Sequence, residues 1–134
     1  MGAQADIARR RSDVAAFRAG DALRGFFRIM ELWGATNAEM RRVVGAPPER
    51  TFYEWRKGRV RRLPEDVIRR IGYVAGIYKA LQIIYSDVAQ ADAWVRKPNR
   101  HFGGQTPLER MAAGDVTDLA VVRAYLDAAR APWS

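Results

Sequence analysis

Four long hydrogen-bonding side chains recur at helical spacing in the N-terminal half of the chain. Within residues 49–57 they share one face of a helix: Arg50, Tyr53, Glu54 and Lys57. Three further arginines follow directly: Arg59, Arg61 and Arg62. Arginine suits guanine in the major groove, glutamate can accept from N4 of cytosine, and arginines beyond the helix are better placed for phosphates. The pattern predicts a DNA-contacting face; the alternative is a solvated face of a helical bundle, or a scaffold without affinity for DNA.

Residue types that support catalysis are sparse in the rest of the chain. The single histidine, His101, has no serine or cysteine partner motif. Glu65 and Asp66 follow Pro64, where acidic residues favour the start of a helix, so they do not indicate a catalytic pair. The sequence has no P-loop, no dinucleotide-binding glycine motif and no cluster of zinc ligands. We therefore expect no catalytic residue, no metal site and no cofactor, and predict that the protein is not an enzyme.

The distribution of charge favours an anionic partner for the first half of the chain. The net charge is +8 over 134 residues. Residues 1–62 carry 14 Lys and Arg against 7 Asp and Glu, whereas residues 63–134 carry 9 against 8. This asymmetry indicates nucleic acid first and an anionic membrane second. Cysteine is absent, and no secretory signal or bilayer-spanning segment is recognisable, so we expect a cytoplasmic protein that does not bind a membrane.

Short helices are predicted to position the basic face. Residues 1–20 form a basic arm, ended by Gly20, whose apolar side chains fall on one face: Ile7, Val14 and Phe17. The arm is either a helix that docks on a partner or on its own dimer mate, or a mobile basic tail. Residues 21–33, with Asp21 as N-cap, carry the stripe of an amphipathic helix: Leu23, Phe26, Phe27, Met30 and Trp33.

The next two helices have the layout of a helix-turn-helix. Thr36 and Glu39 form a capping box, and Met40, Val43 and Val44 give the following short helix an inner face. Pro47 and Pro48 prevent that helix from continuing into residues 49–57, where Phe52 and Trp55 face inward. We therefore predict a helix-turn-helix DNA-binding region over residues 21–62.

Residues 63–97 are predicted to be central helices that support dimerisation. A long helix from about residue 64 to residue 85 is apolar over most of its C-terminal half, and Gly72 and Gly76 indicate close approach of another helix. A short helix follows, with Ser86 as its cap and Val88 and Trp94 on its inner face. The alternative is a monomer with a single thick core.

The last region, residues 98–134, combines a shaped loop with two helices. Thr106, Pro107 and Glu109 predict the start of a helix, and Gly114 suits its end. The final helix, residues 117–130, has inward and outward faces: Leu119, Val122, Tyr125, Leu126 and Ala129 against Arg123, Asp127 and Arg130. Pro132 ends it before Trp133 and Ser134.

This last region resembles the C-terminal toxin-binding domain of Xre/MbcA/ParS-type antitoxins. The matching features are Trp94, Pro98-Asn99, Phe102-Gly103-Gly104, Thr106-Pro107-Leu108-Glu109, Met111, Gly114, Tyr125-Leu126-Asp127-Ala128-Ala129-Arg130 and Trp133. Trp55-Arg56-Lys57-Gly58 fits the helix-turn-helix of the same proteins. The resemblance implies an all-α fold, with an Xre-like helix-turn-helix N-terminal half packed on a helical C-terminal toxin-binding domain.

The resemblance also implies a partner and a function. It implies a homodimeric antitoxin that binds a RES-domain toxin acting on NAD, blocks its active site, and represses its own operon by binding operator DNA. The expected toxin-binding residues are Asn99, Arg100, Phe102, Gly103, Gly104, Arg123, Arg130, Trp133 and Ser134. A stand-alone helix-turn-helix regulator without a toxin, and an adaptor without a DNA role, are the alternatives.

Overall fold

The described part of the chain, residues 2–130 of a computed structural model, is built from helices. Their bounds are α1 Gly2–Leu32, α2 Asn37–Val43, α3 Glu49–Arg56, α4 Glu65–Ile84, α5 Val88–Ala93, α6 Pro107–Met111 and α7 Val116–Arg130. Two short 3-10 turns lie between α5 and α6, at Trp94–Arg96 and Arg100–Phe102. No strand occurs over residues 2–130, which confirms the predicted all-α class.

Helix α1 is continuous through the point where the sequence predicted a break. Gly20 does not end a helix and Asp21 does not cap a new one; Asp21 instead forms an ion pair with Arg24 one turn further on. A glycine inside a helix costs about 1 kcal/mol relative to alanine. The buried contacts on either side of Gly20, made by Ala19 and Leu23, outweigh that local cost.

The predicted stripe of α1 forms the N-terminal part of the core. Leu23, Phe26, Phe27, Met30 and Trp33 are all buried. The ring of Phe27 packs edge-on against Phe26, at 5.2 Å between centroids, and against Phe52 of α3, at 5.7 Å. Aromatic side chains thus fix α3 against α1.

Helix α4 is central because it packs against α1 on one side and α7 on another. Val74, Ile77, Ala80 and Leu81 are fully buried, as the nearly continuous apolar surface of its C-terminal half predicted. Ile83, which the sequence placed on the far side of the helix, is 58% exposed. Much of the apolar surface of α4 is therefore used inside the chain.

Two inward faces predicted in the C-terminal half are wrong in detail. Asp87, not Ser86, caps α5, because its side chain accepts from the backbone N–H of Ala89 at 3.0 Å. Ala91 lies in the core, whereas Val88, the first residue of α5, is exposed. Ala129 is exposed as well, because it lies in the last turn of α7, beyond the last buried position at Leu126.

Arginine side chains connect the two halves at helix ends. Arg70, almost fully buried, donates from Nε to Asp66 at 2.7 Å and from Nη2 to the carbonyl of Gly114 at 3.0 Å. Arg96 donates to the carbonyl of Gly34, just after α1, at 2.8 Å. One hydrophobic core extends from α1 to α7, so the helix-turn-helix half is packed on the C-terminal half.

Candidate functional surfaces

The helix-turn-helix presents the predicted polar face to solvent. Six of its seven predicted DNA-contacting residues are exposed: Arg50, Tyr53, Lys57, Arg59, Arg61 and Arg62. The seventh, Glu54, is partly buried and accepts from Arg59 at 3.3 Å. Glu54 and Arg59 are therefore paired with each other, whereas Arg50, Tyr53, Lys57, Arg61 and Arg62 are exposed in positions suited to bases and phosphates.

Helix α3 is fixed on its core-facing side, opposite the exposed polar face. Phe52 and Trp55 are buried, and Arg56 lies 4.9 Å above the Phe27 ring while donating to Glu31 at 2.9 Å. Arg56 is therefore a structural link between α3 and α1 rather than part of the exposed face.

The connection between α2 and α3 is fixed as well. Thr36 and Glu39 make both hydrogen bonds of the predicted capping box, which sets the start of α2. Arg41 then donates to the carbonyl of Pro47 at 2.6 Å across the turn. The polar face of α3 is thus preorganised, which lowers the entropy lost on binding.

A second surface is formed by the loop before α6, and Asn99 organises it. The Asn99 side chain accepts from the backbone N–H of His101 at 2.9 Å. Its carbonyl accepts from Phe102 and Gly104, each at 3.0 Å, and its own N–H donates to Gln105 at 2.9 Å. Four backbone residues are therefore fixed around one asparagine.

The two loop glycines are required by the backbone and leave open space beside them. Gly103 has φ +66° and Gly104 φ +87°, in the left-handed region that disfavours side chains. A Cβ added at either position would meet no atom within 4 Å. The glycines shape the loop and leave its backbone accessible to a partner.

An aromatic cluster lies beneath and beside the loop. Phe102 is buried, 5.5 Å from the Tyr125 ring of α7, so it supports the loop from the core side. Tyr125 stacks on Trp94 at 5.9 Å and lies 4.7 Å from His101. Trp94 and Tyr125 are partly exposed and His101 is exposed. The sequence named these residues separately but did not predict their assembly, since they are brought together only by the packing of α7.

The predicted toxin-binding arginines occupy different environments. Arg100 and Arg130 are exposed. Arg123, predicted to face outward, is half-buried: its Nε donates to both carboxylate oxygens of Asp127, at 3.1 and 3.2 Å. Its guanidinium covers Gly76 of α4 so closely that an added Cβ would lie 1.6 Å from Nη1. Trp133 and Ser134 lie outside the described residues.

Two carboxylates fix the start of α7, next to this surface. Asp115 accepts from the backbone N–H of Thr117 at 3.0 Å, and this hydrogen bond, followed by one from the Thr117 side chain, lowers the pKa of Asp115. Asp118 accepts from Asp115 N–H at 3.0 Å and from Arg110 at 2.9 Å. The carboxylates therefore act as helix-capping and packing groups.

Residues 2–130 were compared with the requirements of a metal site and of a bilayer-spanning helix. No group of three or more His, Cys, Asp or Glu side chains in that range could hold a metal ion. None of its helices combines the length and the apolar character needed to cross a bilayer.

Comparisons with known proteins define the class that these surfaces belong to. Residues 13–76 match the family model of the antitoxin Xre-like helix-turn-helix domain. Residues 80–131 match that of the antitoxin Xre/MbcA/ParS C-terminal toxin-binding domain. A relative, uncharacterized protein y4oB of Sinorhizobium fredii (strain NBRC 101917 / NGR234), is 38% identical over 108 residues, which cover 81% of this chain and 83% of y4oB.

The chain therefore belongs to the Xre/MbcA/ParS antitoxin family. Membership supports an antitoxin role in a toxin–antitoxin system. The toxin-binding domain implies a toxin partner, the helix-turn-helix implies DNA binding, and both domains are those of non-catalytic regulators.

Proposed function

We propose that this protein is the antitoxin of a type II system that neutralises a RES-domain toxin by blocking its active site. The toxin would consume NAD or transfer ADP-ribose from it. The single observation that carries the proposal is the match of residues 80–131 to the toxin-binding domain, which includes the ordered loop around Asn99. The RES class of the toxin rests on the resemblance of that region to antitoxins that inhibit such enzymes.

The toxin-facing surface consists of the loop and the outer side of α7. Arg100, Gly103 and Gly104 are exposed, and Asn99 holds them in one conformation before the partner arrives. A preformed loop loses little entropy on binding, and its bare backbone permits close contact. Phe102 contributes by supporting the loop. The proposed contacts with the toxin near its nucleotide site also include Arg130 and, outside the described residues, Trp133 and Ser134.

The neutralisation test uses the toxin encoded next to this protein's gene, co-expressed with the full-length antitoxin. Cellular NAD and growth report toxin activity. Arg100→Glu should restore NAD loss because it reverses a charge on the proposed surface, whereas Arg28→Glu, an exposed change on α1, should leave neutralisation intact. Full protection by a chain lacking residues 130–134 would exclude a blocking role for the tail. A toxin that, expressed alone, neither lowers cellular NAD nor ADP-ribosylates a protein would remove the RES assignment.

We also propose that the antitoxin represses its own operon through α3. The support is the exposed Arg50 and Lys57 on a helix that is fixed from below, with Arg59, Arg61 and Arg62 beside it. Arg50→Ala should weaken operator binding and relax base preference, whereas Arg61→Ala should weaken binding to all sequences and make the salt dependence shallower. Affinity for promoter DNA no greater than for random DNA would contradict autoregulation.

A stand-alone transcription regulator is the second candidate, because the DNA-facing surface needs no toxin to be assembled. Operator binding without any toxin partner would favour it. Toxin neutralisation without operator binding would instead indicate an antitoxin that does not regulate its operon. We further propose that the protein acts as a homodimer in the cytoplasm.

A further inference from the structure

The first turns of α1 extend beyond the body of the protein. Residues 2–15 are exposed, and Ala19 is the first buried side chain of the helix. Three large apolar side chains in this extension face water: Ile7 and Val14, each 49% exposed, and Phe17, 67% exposed. A helix of this length is marginal in water unless its apolar face is covered. The apolar face of the extension is therefore a candidate contact surface for a second molecule.

The exposed apolar residues follow a heptad rather than the pattern of the core. Ile7 and Val14 are seven residues apart, and Phe17 follows at the next seam position. In heptad notation Ile7 and Val14 occupy a positions, and Ala3, Arg10 and Phe17 occupy d positions. At 3.6 residues per turn this seam lies on the side of α1 opposite Ala19 and Leu23, which pack on the body. Beyond Phe17 the next seam positions are Asp21 and Arg24, which pair with each other, so the seam is confined to the extension.

The charges beside the seam identify the occupant and its direction. Asp6 and Asp13 occupy g positions, and Arg11 and Arg18 occupy e positions. In a parallel, in-register pair of helices, each g residue faces the e residue five positions later on the other helix. This register pairs Asp6 with Arg11 of a second copy, and Asp13 with Arg18 of that copy. An antiparallel pair would instead bring aspartate to aspartate and arginine to arginine.

These four side chains are available for such pairing. None of them takes part in an ion pair formed over residues 2–130. The two a positions carry the β-branched residues Ile7 and Val14, as in two-stranded parallel coiled coils, whereas the d positions hold Ala3, Arg10 and Phe17 in place of the usual leucine. Charge pattern, seam and exposure therefore agree on one occupant.

We propose that residues 3–18 of α1 form a two-heptad parallel coiled coil with a second copy of this chain. The coil gives the homodimer its contact and places two α3 surfaces in one assembly. It locates that contact on α1 rather than in residues 63–97, because much of the apolar surface of α4 packs against α1 and α7 inside the chain. The coil does not depend on toxin or operator, so its failure and the failure of the proposed function are distinguishable.

Arg10 offers a direct test of the proposed coil, because it places a charged residue at a d position. Two copies of Arg10 meet at one d layer, where their charged heads must turn outward to reach water. Replacing Arg10 with leucine should therefore tighten the dimer, by about tenfold or more from the added apolar burial.

The first experiment measures self-association of the full-length protein by sedimentation over a range of concentrations. Phe17→Ser should weaken the dimer, and Arg10→Leu should tighten it. Ile83→Ser is the matched control, because Ile83 is similarly exposed but lies on α4. Circular dichroism verifies that each variant retains its helices. A wild-type and an Arg10→Leu chain that both stay monomeric, or a loss of dimer with Ile83→Ser but not Phe17→Ser, would overturn the proposal.

The second experiment tests the parallel register. Because the chain has no cysteine, single-cysteine variants report one contact each. Ile7→Cys and Val14→Cys should each form a disulfide with the same position of the other copy, and Ser12→Cys, on the opposite side of the helix, should not. Asp13→Arg should weaken the dimer and Asp13→Arg/Arg18→Asp should restore it. Equal cross-linking at Ser12, or an unchanged dimer with Asp13→Arg, would exclude the parallel coil.

Discussion

Two glycines one turn apart on α4 provide a controlled test of how α7 is held. Gly72 and Gly76 both lie within the helix, where alanine is favoured over glycine by about 1 kcal/mol. Their surroundings differ sharply. A Cβ at Gly72 would meet nothing within 4 Å, whereas a Cβ at Gly76 would lie 1.6 Å from Nη1 and 2.6 Å from Cζ of Arg123. The same substitution therefore has one outcome at Gly72 and another at Gly76.

The expected magnitudes follow from these contacts. Gly72→Ala should raise the free energy of unfolding by about 1 kcal/mol, because only helix propensity changes. Gly76→Ala gains the same propensity but displaces the Arg123 guanidinium. The exposed pair with Asp127 is worth only about 0.3–0.5 kcal/mol, and packing over α4 is lost as well. We therefore expect Gly76→Ala to be close to neutral, well below Gly72→Ala.

Urea unfolding of the two single variants, and of each combined with Arg123→Ala, separates the effects. Removing Arg123 should reduce the difference between positions 72 and 76, because the three atoms nearest to a Cβ at Gly76 all belong to Arg123. In the neutralisation assay, Gly76→Ala should weaken toxin inhibition if the seated Arg123 shapes the outer side of α7, while Gly72→Ala should not. Equal stabilisation by both alanines in the presence of Arg123 would refute this reasoning.

Three further predictions concern side chains that cap helices or link separate segments of the chain. Arg70→Ala should lower the free energy of unfolding by about 2 kcal/mol in urea titrations, because a charged donor leaves Asp66 and Gly114, whereas exposed Arg69→Ala should change it by less than about 0.5 kcal/mol. Asn99→Ala should lower the free energy of unfolding by about 1 kcal/mol, because the side-chain hydrogen bond to the N–H of His101 is lost. It should also weaken toxin binding measured by calorimetry. Because the pKa of Asp115 is lowered on folding, its ionised carboxylate stabilises the fold at pH values above the ordinary pKa near 3.8. This stabilisation is lost as the pH falls through the folded pKa, so the difference in unfolding free energy between wild type and Asp115→Ala should shrink from pH 7 to pH 3.

The sequence was most informative where the determinants are local. Both capping boxes, Thr36 with Glu39 and Thr106 with Glu109, form as predicted, since each needs only four consecutive residues. Gly20 was misread because burial of its neighbours overrides its local preference. Val88 was misplaced because it is the first residue of α5, one turn before the first buried position of that helix at Ala91.

The candidate surfaces were predictable to different degrees for the same reason. The polar face of α3 lies on one short helix, so spacing alone brought Arg50 and Lys57 together. The aromatic cluster joins Trp94 and His101 to Tyr125 across segments that only tertiary packing brings into contact. Arg123 could not be placed from its helix face, because the space that accepts it is created by the missing side chain of Gly76 on another helix.

Packing of the two halves also constrains how a toxin could influence repression. Arg96 joins the turn after α5 to the end of α1, Arg70 joins α4 to Gly114, and one core underlies both surfaces. Toxin binding at the loop would therefore not reorient α3 as a tethered domain would be reoriented. A change in operator affinity would instead act through assembly: two α3 surfaces joined by the proposed coil bind two half-sites with an avidity that a single copy lacks. If the toxin alters repression, the effect should disappear in Phe17→Ser, which removes the coil and leaves the loop intact.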